Sequence, residues 1–331
     1  MDRTVVIAFA AASLAGGSMW AWSAHGAADE PAETARAAVA SPMSREPISP
    51  ILPAPASLSP AKVALGKRLF SERRLSADGT VACSDCHDLA LHGGADGKPL
   101  PTGIHGRVGR VNTPTIWNAD ANVRQFWDGR ADSLEAQVDG PLLNQDEMGG
   151  MWTAALEKLR EDPSYVSAFG REGISPTTVR SAIATYERTL VTPGSRFDRW
   201  LAGDTHALTS SELGGYADFK RYGCISCHQG RNVGGNMFET LGIMGDYFAD
   251  RGTPETEADL GRLSVTKREE DRHRFRVPPL RLAARTAPYF HDGQVPTLED
   301  AIRAMGKYQL GTEIPPPHIA RIAAFIESLA P

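Results

Sequence analysis

The sequence predicts a mostly α-helical protein composed of two similar halves in tandem, with long loops. Two observations support this fold class. A helical apolar pattern followed by a Cys-x-x-Cys-His motif occurs twice in the 331 residues, at positions 83–87 and 224–228. Each half also ends in an amphipathic helical stripe, whereas the alternating polar and apolar runs typical of strands are few. We therefore expect helices to dominate and strands to be rare.

Four helices are predicted from apolar spacing and capping residues. Ser59 and Pro60 begin the first, and Ser210 or Ser211 begins its counterpart in the second half, which leads directly to Cys224. The helices that close the halves follow from two apolar stripes, which are Val179, Ile183, Tyr186 and Leu190, and Ile319, Ile322, Phe325, Ile326 and Leu329. The order of helix, motif and closing helix is thus duplicated, although the halves share little residue identity.

The first 28 residues are predicted to be an export signal. An uncharged stretch from Thr4 to Ala28 follows Arg3, its most apolar part lies at 5–15, and small residues at 26–28 offer a cleavage site. The stretch is also long enough to remain as an uncleaved membrane anchor. Either outcome places the rest of the chain outside the cytoplasm, in the bacterial periplasm.

The domain organisation is predicted from composition and motif positions. Residues 29–57 are rich in Ala and Pro without apolar periodicity, which indicates a linker or loosely ordered arm. Residues 58–203 and 204–331 are predicted to be the two globular domains, each with one Cys-x-x-Cys-His motif. The chain is 41% hydrophobic and 23% charged, with net charge −5 and no basic run, so we expect a packed protein that does not bind nucleic acid.

The cysteines predict two covalently attached haem groups. All four lie in the motifs Cys83-Ser-Asp-Cys86-His87 and Cys224-Ile-Ser-Cys227-His228. In this pattern each cysteine forms a thioether with a haem vinyl group, and the adjacent histidine becomes the proximal iron ligand. A disulfide, a redox pair or a four-cysteine zinc site would not explain a histidine directly after both pairs. The expected fold is therefore two cytochrome c-like haem domains in tandem, with His87 and His228 as iron ligands.

Further segments carry a family resemblance. They are Val111-Asn112-Thr113-Pro114-Thr115, Gln125-Phe126-Trp127-Asp128-Gly129-Arg130, Phe275-Arg276-Val277-Pro278 and Thr286-Ala287-Pro288-Tyr289-Phe290-His291-Asp292-Gly293. Over nearly all of residues 60–330 the chain resembles the bacterial dihaem cytochrome c peroxidases, a fold that includes the MauG-type enzymes. The resemblance implies a peroxidatic haem in the first domain and an electron-transfer haem in the second.

The same resemblance implies three residues that act near the haems. Glu147, ten residues after Gln137 as in the family, would move protons during cleavage of the peroxide O–O bond. Gln137 would orient the peroxide or a water molecule. Trp127 would lie between the haems and relay electrons, and this role is compatible with an ordinary core tryptophan whose N–H is hydrogen-bonded.

Met305 is implied to be the axial ligand of the second haem. It follows His291 by fourteen residues, which is the family spacing. A thioether opposite histidine raises the reduction potential of the iron, which suits a haem that stores an electron. MauG-type enzymes carry tyrosine as this ligand, so Tyr308, three residues away, is the alternative.

The sixth ligand of the first haem is open. Many family members carry a histidine in the glycine-rich loop before the Asn-x-Pro-Thr motif. Ungapped counting back from Asn112 places Ile104 at that position, whereas a one-residue deletion places His105 there. The first alternative, which we favour, gives a five-coordinate iron. The second gives a histidine that must leave the iron before peroxide binds.

A calcium ion is implied only by the resemblance. In the family it lies between the domains and is held by an Asn side chain, two backbone carbonyls and water molecules. The matching positions are Asn112, Thr286 and Pro288. Oxygen ligands of this kind suit Ca²⁺.

Three functions are consistent with these features. The first, which we favour, is reduction of H₂O₂ to water with electrons from a small periplasmic cytochrome c or copper protein. The second is MauG-type oxidation of tryptophan residues in a partner protein, and the third is a dihaem electron carrier without chemistry of its own. Met305 argues against the second, and Glu147 with Gln137 against the third. Monomer and homodimer are both open.

Overall fold

The computed structural model describes residues 46–331. The predicted export signal and residues 29–45 of the Ala/Pro-rich segment lie outside the described residues. The helices of the described part are α1 (Pro60–Phe70), α2 (Cys83–Cys86), α3 (Leu134–Gln137), α4 (Asp139–Leu143), α5 (Trp152–Arg160), α6 (Pro163–Phe169), α7 (Pro176–Glu187), α8 (Arg196–Leu201), α9 (Ser210–Arg221), α10 (Tyr247–Asp250), α11 (Leu263–Thr266), α12 (Leu298–Ala304) and α13 (Pro316–Ser328). Several 3₁₀ turns and one π-helical turn, Met305–Gln309, lie between them.

The mostly α-helical prediction is confirmed. Over residues 46–331 the strands are β1 (Phe238–Thr240) and β2 (Arg274–Arg276), which pair antiparallel with Glu239 opposite Phe275. Long loops join the helices, and the loop between α2 and α3 carries a large part of the site described below. No helix in this described range is long and apolar enough to cross a membrane.

In the first half, α1 packs against α7. Ser59 caps α1 as predicted, since its hydroxyl accepts the N–H of Lys62. Ser175 caps α7, whose buried face contains Val179, Ile183 and Tyr186 of the predicted stripe, while Leu190 is buried just after the helix ends. The two helices approach closely because position 66 is glycine: a Cβ on Gly66 would lie 1.9 Å from the carbonyl oxygen of Ala182. A larger residue would separate the helices and loosen the core beneath them.

The second half repeats this crossing, with α9 packed against α13. A Cβ on Gly215 would lie 1.9 Å from the carbonyl oxygen of Arg321. Glycine therefore permits the helix contact in both halves, and the predicted duplication of the architecture extends to the closest point of the crossing.

The cap of α9 differs from the prediction of Ser210 or Ser211. Thr209 accepts the N–H of Glu212 at 3.2 Å, and the Glu212 carboxylate accepts the N–H of Thr209 at 2.8 Å. This reciprocal pair satisfies two N–H groups that the helix leaves unbonded. Because only Thr209 has glutamate at the required spacing, the helix begins one residue earlier than a Ser210 cap and two residues earlier than a Ser211 cap would place it.

Two hydrophobic cores fill the halves. The first draws its buried residues from positions 65–190, and the second from positions 197–329 together with Ile48. Phe197 and Leu201 of α8 are fully buried in the second core. The change of core thus lies between Leu190 and Phe197, before the boundary at residue 203 that composition and motif spacing predict.

Residues 46–51, which the sequence places in the loosely ordered arm, pack against the second half. Ile48 is 2% exposed and forms a bridge with Gly230. The Glu46 carboxylate accepts a hydrogen bond from the hydroxyl of Tyr216 and pairs with Lys220 at 3.3 Å. Two buried isoleucines among prolines, Ile48 and Ile51, give no helical or alternating signal, which is why composition assigns this segment to the arm.

Candidate active site

Two large cavities lie in the folded chain, one at each Cys-x-x-Cys-His motif. Cys83, Cys86 and His87 line the first cavity. The corresponding residues of the second motif, Cys224, Cys227 and His228, line the second cavity. Apolar side chains from the two helix crossings, such as Phe70 and Phe219, form much of the remaining walls.

Both motif histidines are held by one ring nitrogen. Nδ1 of His87 lies 2.9 Å from the carbonyl oxygen of Gly94, and Nδ1 of His228 lies 3.4 Å from that of Val233. Burial lowers the pKa of His87 and lowers the pKa of His228 to about 4, so both rings are neutral at pH 7. A neutral ring that donates from Nδ1 presents Nε2 as an acceptor, which is the arrangement of a histidine ligand to iron.

The motif cysteines are free thiols in these apolar surroundings. Burial raises the pKa of Cys83 and of Cys86 to about 12, and the pKa of Cys224 to about 11. One pair of cysteines lines each cavity, so the four cysteines do not form a single zinc site. They suit thioether formation with the vinyl groups of a haem, so these residues fit the group that the motifs imply.

One wall is common to both cavities. The segment Asn112–Thr115 and the side chain of Arg276 line the first and the second cavity. Phe126 lines the first cavity, whereas its neighbour Trp127 lines the second. The indole N–H of Trp127 donates to the carbonyl oxygen of Asn112 at 2.9 Å, which fixes the tryptophan against this wall.

Glu147 and Gln137 both line the first cavity. Gln137 is the last residue of α3, and Glu147 lies in the turn after α4. Burial raises the pKa of Glu147, while a hydrogen bond from Asn144 and the charge of Arg130 act in the opposite direction. A carboxyl group with a raised pKa that faces a cavity is suited to accept and return a proton.

The glycine-rich loop that contains Ile104 and His105 is fastened to the Glu147 turn. The N–H of Ile104 donates to the carbonyl oxygen of Glu147 at 2.8 Å. A Cβ on Gly103 would lie 2.2 Å from the carbonyl oxygen of Asp146, so only glycine permits this approach. The side chain of His105 is 62% exposed, with Nδ1 3.5 Å from Asp78, and does not line the first cavity.

Met305 and Tyr308 occupy different surroundings. Met305 begins the π-helical turn and lines the second cavity, which also contains His228. The hydroxyl of Tyr308 instead donates to Asp250 at 3.1 Å, and its ring packs edge-on against Tyr247. Tyr308 does not line this cavity.

The three positions that the resemblance implies for calcium are all at the second cavity. Asn112, Thr286 and Pro288 line it. The amide nitrogen of Asn112 donates to the carbonyl oxygen of Lys98 at 2.9 Å, which leaves the side-chain oxygen for another partner. A cation bound there would be coordinated by oxygen atoms, as Ca²⁺ prefers.

Comparison with known proteins agrees with this geometry. A family model described as di-haem cytochrome c peroxidase matches residues 60–206. The cytochrome c551 peroxidase of Nitrosomonas europaea is 38% identical over 334 residues, which cover 99% of this chain and 92% of that protein. The chain belongs to the dihaem cytochrome c peroxidase family. The resemblance inferred from the sequence is thereby confirmed. The prediction that the chain is an oxidoreductase acting on peroxide is confirmed with it.

Two further relatives of this peroxidase family are similar over most of the chain. The cytochrome c peroxidase Ccp of Escherichia coli is 45% identical over 289 residues, which cover 86% of this chain and 61% of that protein. This chain therefore matches about three fifths of that relative's length. A solved MauG-like protein associated with microbial copper homeostasis superimposes with a TM-score of 0.73 at 27% identity. The superposition covers 85% of this chain and 92% of that protein's chain.

Two residues of this peroxidase-family site were not identified from the sequence as functional. Arg276 lies within a segment that carries the resemblance, but nothing in the sequence shows that it is buried between the cavities. Glu187, at the end of α7, lines the first cavity and is 4% exposed, and burial raises its pKa to about 8. A lone glutamate in an amphipathic helix gives no signal of burial, because its environment depends on the facing helix.

A cluster of titratable groups lies behind Trp127. Nε2 of His291 lies 2.7 Å from Asp259, and the His291 ring meets the Trp127 ring edge-on at 6.4 Å between centroids. Asp259 and Asp292 are both paired with the guanidinium of Arg251, at 2.6 and 3.0 Å. The arginine supplies the positive charge that a metal ion would otherwise bring, so this cluster is an ion-pair network that supports the wall of the second cavity.

Proposed function

We propose that the protein reduces H₂O₂ to water in the periplasm with two covalently bound haem c groups. Two electrons and two protons convert one H₂O₂ to two H₂O, and the electrons come from a small cytochrome c or copper protein. The observation that carries the proposal is that the two cavities are lined by different functional residues. Glu147 and Gln137 line the first, whereas Met305 lines the second.

The haems supply the iron that binds peroxide and the storage of electrons between donor and substrate. Cys83, Cys86 and His87 would hold the first haem, and the second motif would hold the other. In the second cavity Met305 would supply a sixth ligand to the haem iron, which would keep that iron closed to peroxide. This assignment is supported by its place in the cavity with His228, and by the absence of Tyr308 from the lining.

Glu147 is the proton-transfer group in this proposal. Its carboxylate accepts the proton of the peroxide oxygen that binds, and returns it to the oxygen that leaves as water. The burial that raises the pKa of Glu147 makes both transfers feasible near neutral pH. Gln137, on the same cavity, holds the peroxide or a water by hydrogen bonding.

Trp127 lies on the path for electrons between the cavities. It lines the second cavity and is bonded to Asn112, whose segment lines both. An indole in contact with this shared wall would be an intermediate stop for the electron, so each of the two transfers covers a shorter distance than a direct transfer between the haems.

We assign the calcium ion to Asn112, Thr286 and Pro288, where it would stabilise the same wall.

Under this proposal His87 would be the one protein ligand of the first iron in the oxidised protein. His105 is directed toward Asp78 at the surface, and Ile104, at the ungapped ligand position, cannot coordinate. Peroxide could then enter the first cavity without prior release of a histidine.

Steady-state turnover of the purified full-length protein tests the function. Oxidation of a reduced small cytochrome c is followed after addition of H₂O₂, for the oxidised and the half-reduced protein, with protein-free mixtures as the control. We expect turnover in both forms. An absence of turnover with cytochrome and copper-protein donors alike, in a preparation that shows both haem spectra, would overturn the proposal.

A further inference from the structure

A buried arginine separates the two cavities. Arg276 is 3% exposed, lies in β2 and lines both cavities. Its backbone N–H donates to the carbonyl oxygen of Trp127 at 2.8 Å, and its Nε donates to that of Phe126 at 3.3 Å. Its Nη1 is buried and has no hydrogen-bond partner among residues 46–331. The side chain is thus fixed to the loop between the cavities, while both N–H groups of Nη1 remain unused.

No carboxylate among residues 46–331 compensates the charge of Arg276. Burial is the one influence on its pKa, which falls to about 10, and no carboxylate of the described residues acts on it. The group therefore remains protonated at neutral pH. An unpaired buried charge costs several kcal/mol, so a fold that keeps one usually provides its counter-ion from elsewhere.

Two other arginines show how this fold pairs a buried guanidinium when its role is structural. Arg281 forms two hydrogen bonds with Asp198, at 2.6 and 3.1 Å, and Arg251 is paired with Asp259 and Asp292. The Nη atoms of both are hydrogen-bonded, although Nε of Arg251 has no partner among the described residues. Arg276 differs from both because its free donor lies at the two cavities rather than at an acidic side chain.

We propose that Arg276 is a shared anion anchor whose guanidinium binds a propionate carboxylate of the haem in each cavity. The inference rests on the proposed two-haem function. Carboxylates are the anionic groups of a haem, and a planar guanidinium carries N–H donors along more than one edge, so it can serve two carboxylates. The cation bound between them stabilises the reduced state of both irons relative to the oxidised state, so it raises both reduction potentials.

The test is spectroelectrochemical titration of both haems in the full chain. Arg276→Gln removes the charge, Arg276→Lys retains it, and Arg274→Gln is the control on the same strand, since Arg274 is 40% exposed and paired with Asp271. We expect Arg276→Gln to lower both midpoint potentials so that the ratio of reduced to oxidised haem at fixed potential falls about tenfold, or about 59 mV. Arg276→Lys and Arg274→Gln should leave both potentials near the wild-type values.

Unchanged potentials in Arg276→Gln, or a change in one haem alone, would overturn the shared anchor. If this variant does not assemble with both haems, resonance Raman spectra of the wild-type protein decide instead: propionate bending modes of both haems must show hydrogen bonding, and modes typical of free propionates overturn the proposal. A wild-type protein without two haem spectra would contradict the proposed function itself, which is a separate outcome.

Discussion

The side-chain amide of Asn144 donates a hydrogen bond to the Glu147 carboxylate, with 2.7 Å between Nδ2 and Oε1. This bond favours the ionised form and opposes the burial that raises the pKa of Glu147. Asn144 is therefore a positioning residue that sets the pH at which the carboxylate can accept a proton.

Asn144→Ala should shift the acid limb of kcat/KM to higher pH. Loss of the hydrogen bond raises the pKa of Glu147 further, so a higher pH is needed to form the carboxylate. The value of kcat/KM on the high-pH plateau should change less than its value on the acid limb. A pH–rate profile measures both, with Gln145→Ala as the control on the same turn. An acid limb that stays in place would show that a different group controls it.

Glu147→Gln should keep both haem spectra and reduce peroxide turnover by about 10²-fold or more, the usual size of a general acid–base contribution. Asp146→Asn is the matched control, because Asp146 is paired with Arg110 at 3.4 Å and does not line the first cavity. Stopped-flow reaction of each variant with H₂O₂ gives the rates. Near-wild-type rates for Glu147→Gln would leave this residue with a structural role only.

Met305→Leu should lower the potential of the second haem and remove its low-spin spectrum, because the thioether ligand is lost. Tyr308→Phe should leave both unchanged, since the Tyr308 hydroxyl is bonded to Asp250. Optical and electron paramagnetic resonance spectra distinguish the two variants. A spectrum altered by Tyr308→Phe instead of Met305→Leu would identify tyrosine as the ligand and revive the MauG-type alternative.

The oxidised protein should show a high-spin haem signal in electron paramagnetic resonance, because His105 is exposed beside Asp78. His105→Ala should leave that signal unchanged, and His92→Ala serves as the control for a second histidine before the Asn-x-Pro-Thr motif. A wild-type spectrum that is entirely low-spin, with a high-spin signal created by His105→Ala, would establish His105 as the ligand.

Glu187→Gln should stabilise the protein at alkaline pH. Burial raises the pKa of Glu187 to about 8, against 4.5 for the ordinary side chain, so the folded state holds this proton more tightly than the unfolded chain. The stability that it contributes is complete below about pH 4.5 and is lost as pH rises through about 8, by an amount on the order of a few kcal/mol. Glutamine does not ionise and removes this loss.

Chemical denaturation at pH 5, 7 and 9 measures the effect, with Glu135→Gln as a control whose effect should stay constant over this range, because the pKa of Glu135 lies below the ordinary 4.5. The hydrogen bond from Arg188 lowers the pKa of Glu135, so that carboxylate stabilises the fold at neutral pH and the contribution is lost as pH falls. Parallel curves for wild type and Glu187→Gln would show that Glu187 does not carry the pH dependence.

The sequence predicts those features that depend on local spacing. The stripes ending at Leu190 and Leu329 mark the helices that close the halves, and Ser59 and Pro60 mark the start of α1. These patterns report helix period and capping, which need no knowledge of the rest of the chain.

What the sequence does not predict depends on contacts between distant segments. Ile48 is buried because the second half provides its pocket, and α8 joins the second core although it precedes the predicted boundary. The burial of Arg276 likewise results from its place between the cavities. The assignments of Glu147, Gln137, Trp127 and Met305 came from resemblance, and residue spacing alone would not have led to them.

Phe126 and Trp127 are consecutive residues that face opposite cavities. Through Trp127 and Asn112–Thr115, the first half forms part of the wall of the second cavity. Neither half therefore contains a complete pocket of its own at this border, despite the duplicated architecture. A change in the length of this loop would disturb both pockets at once, so homologous halves cannot be exchanged between relatives as independent modules unless the loop and its receiving wall are transferred together.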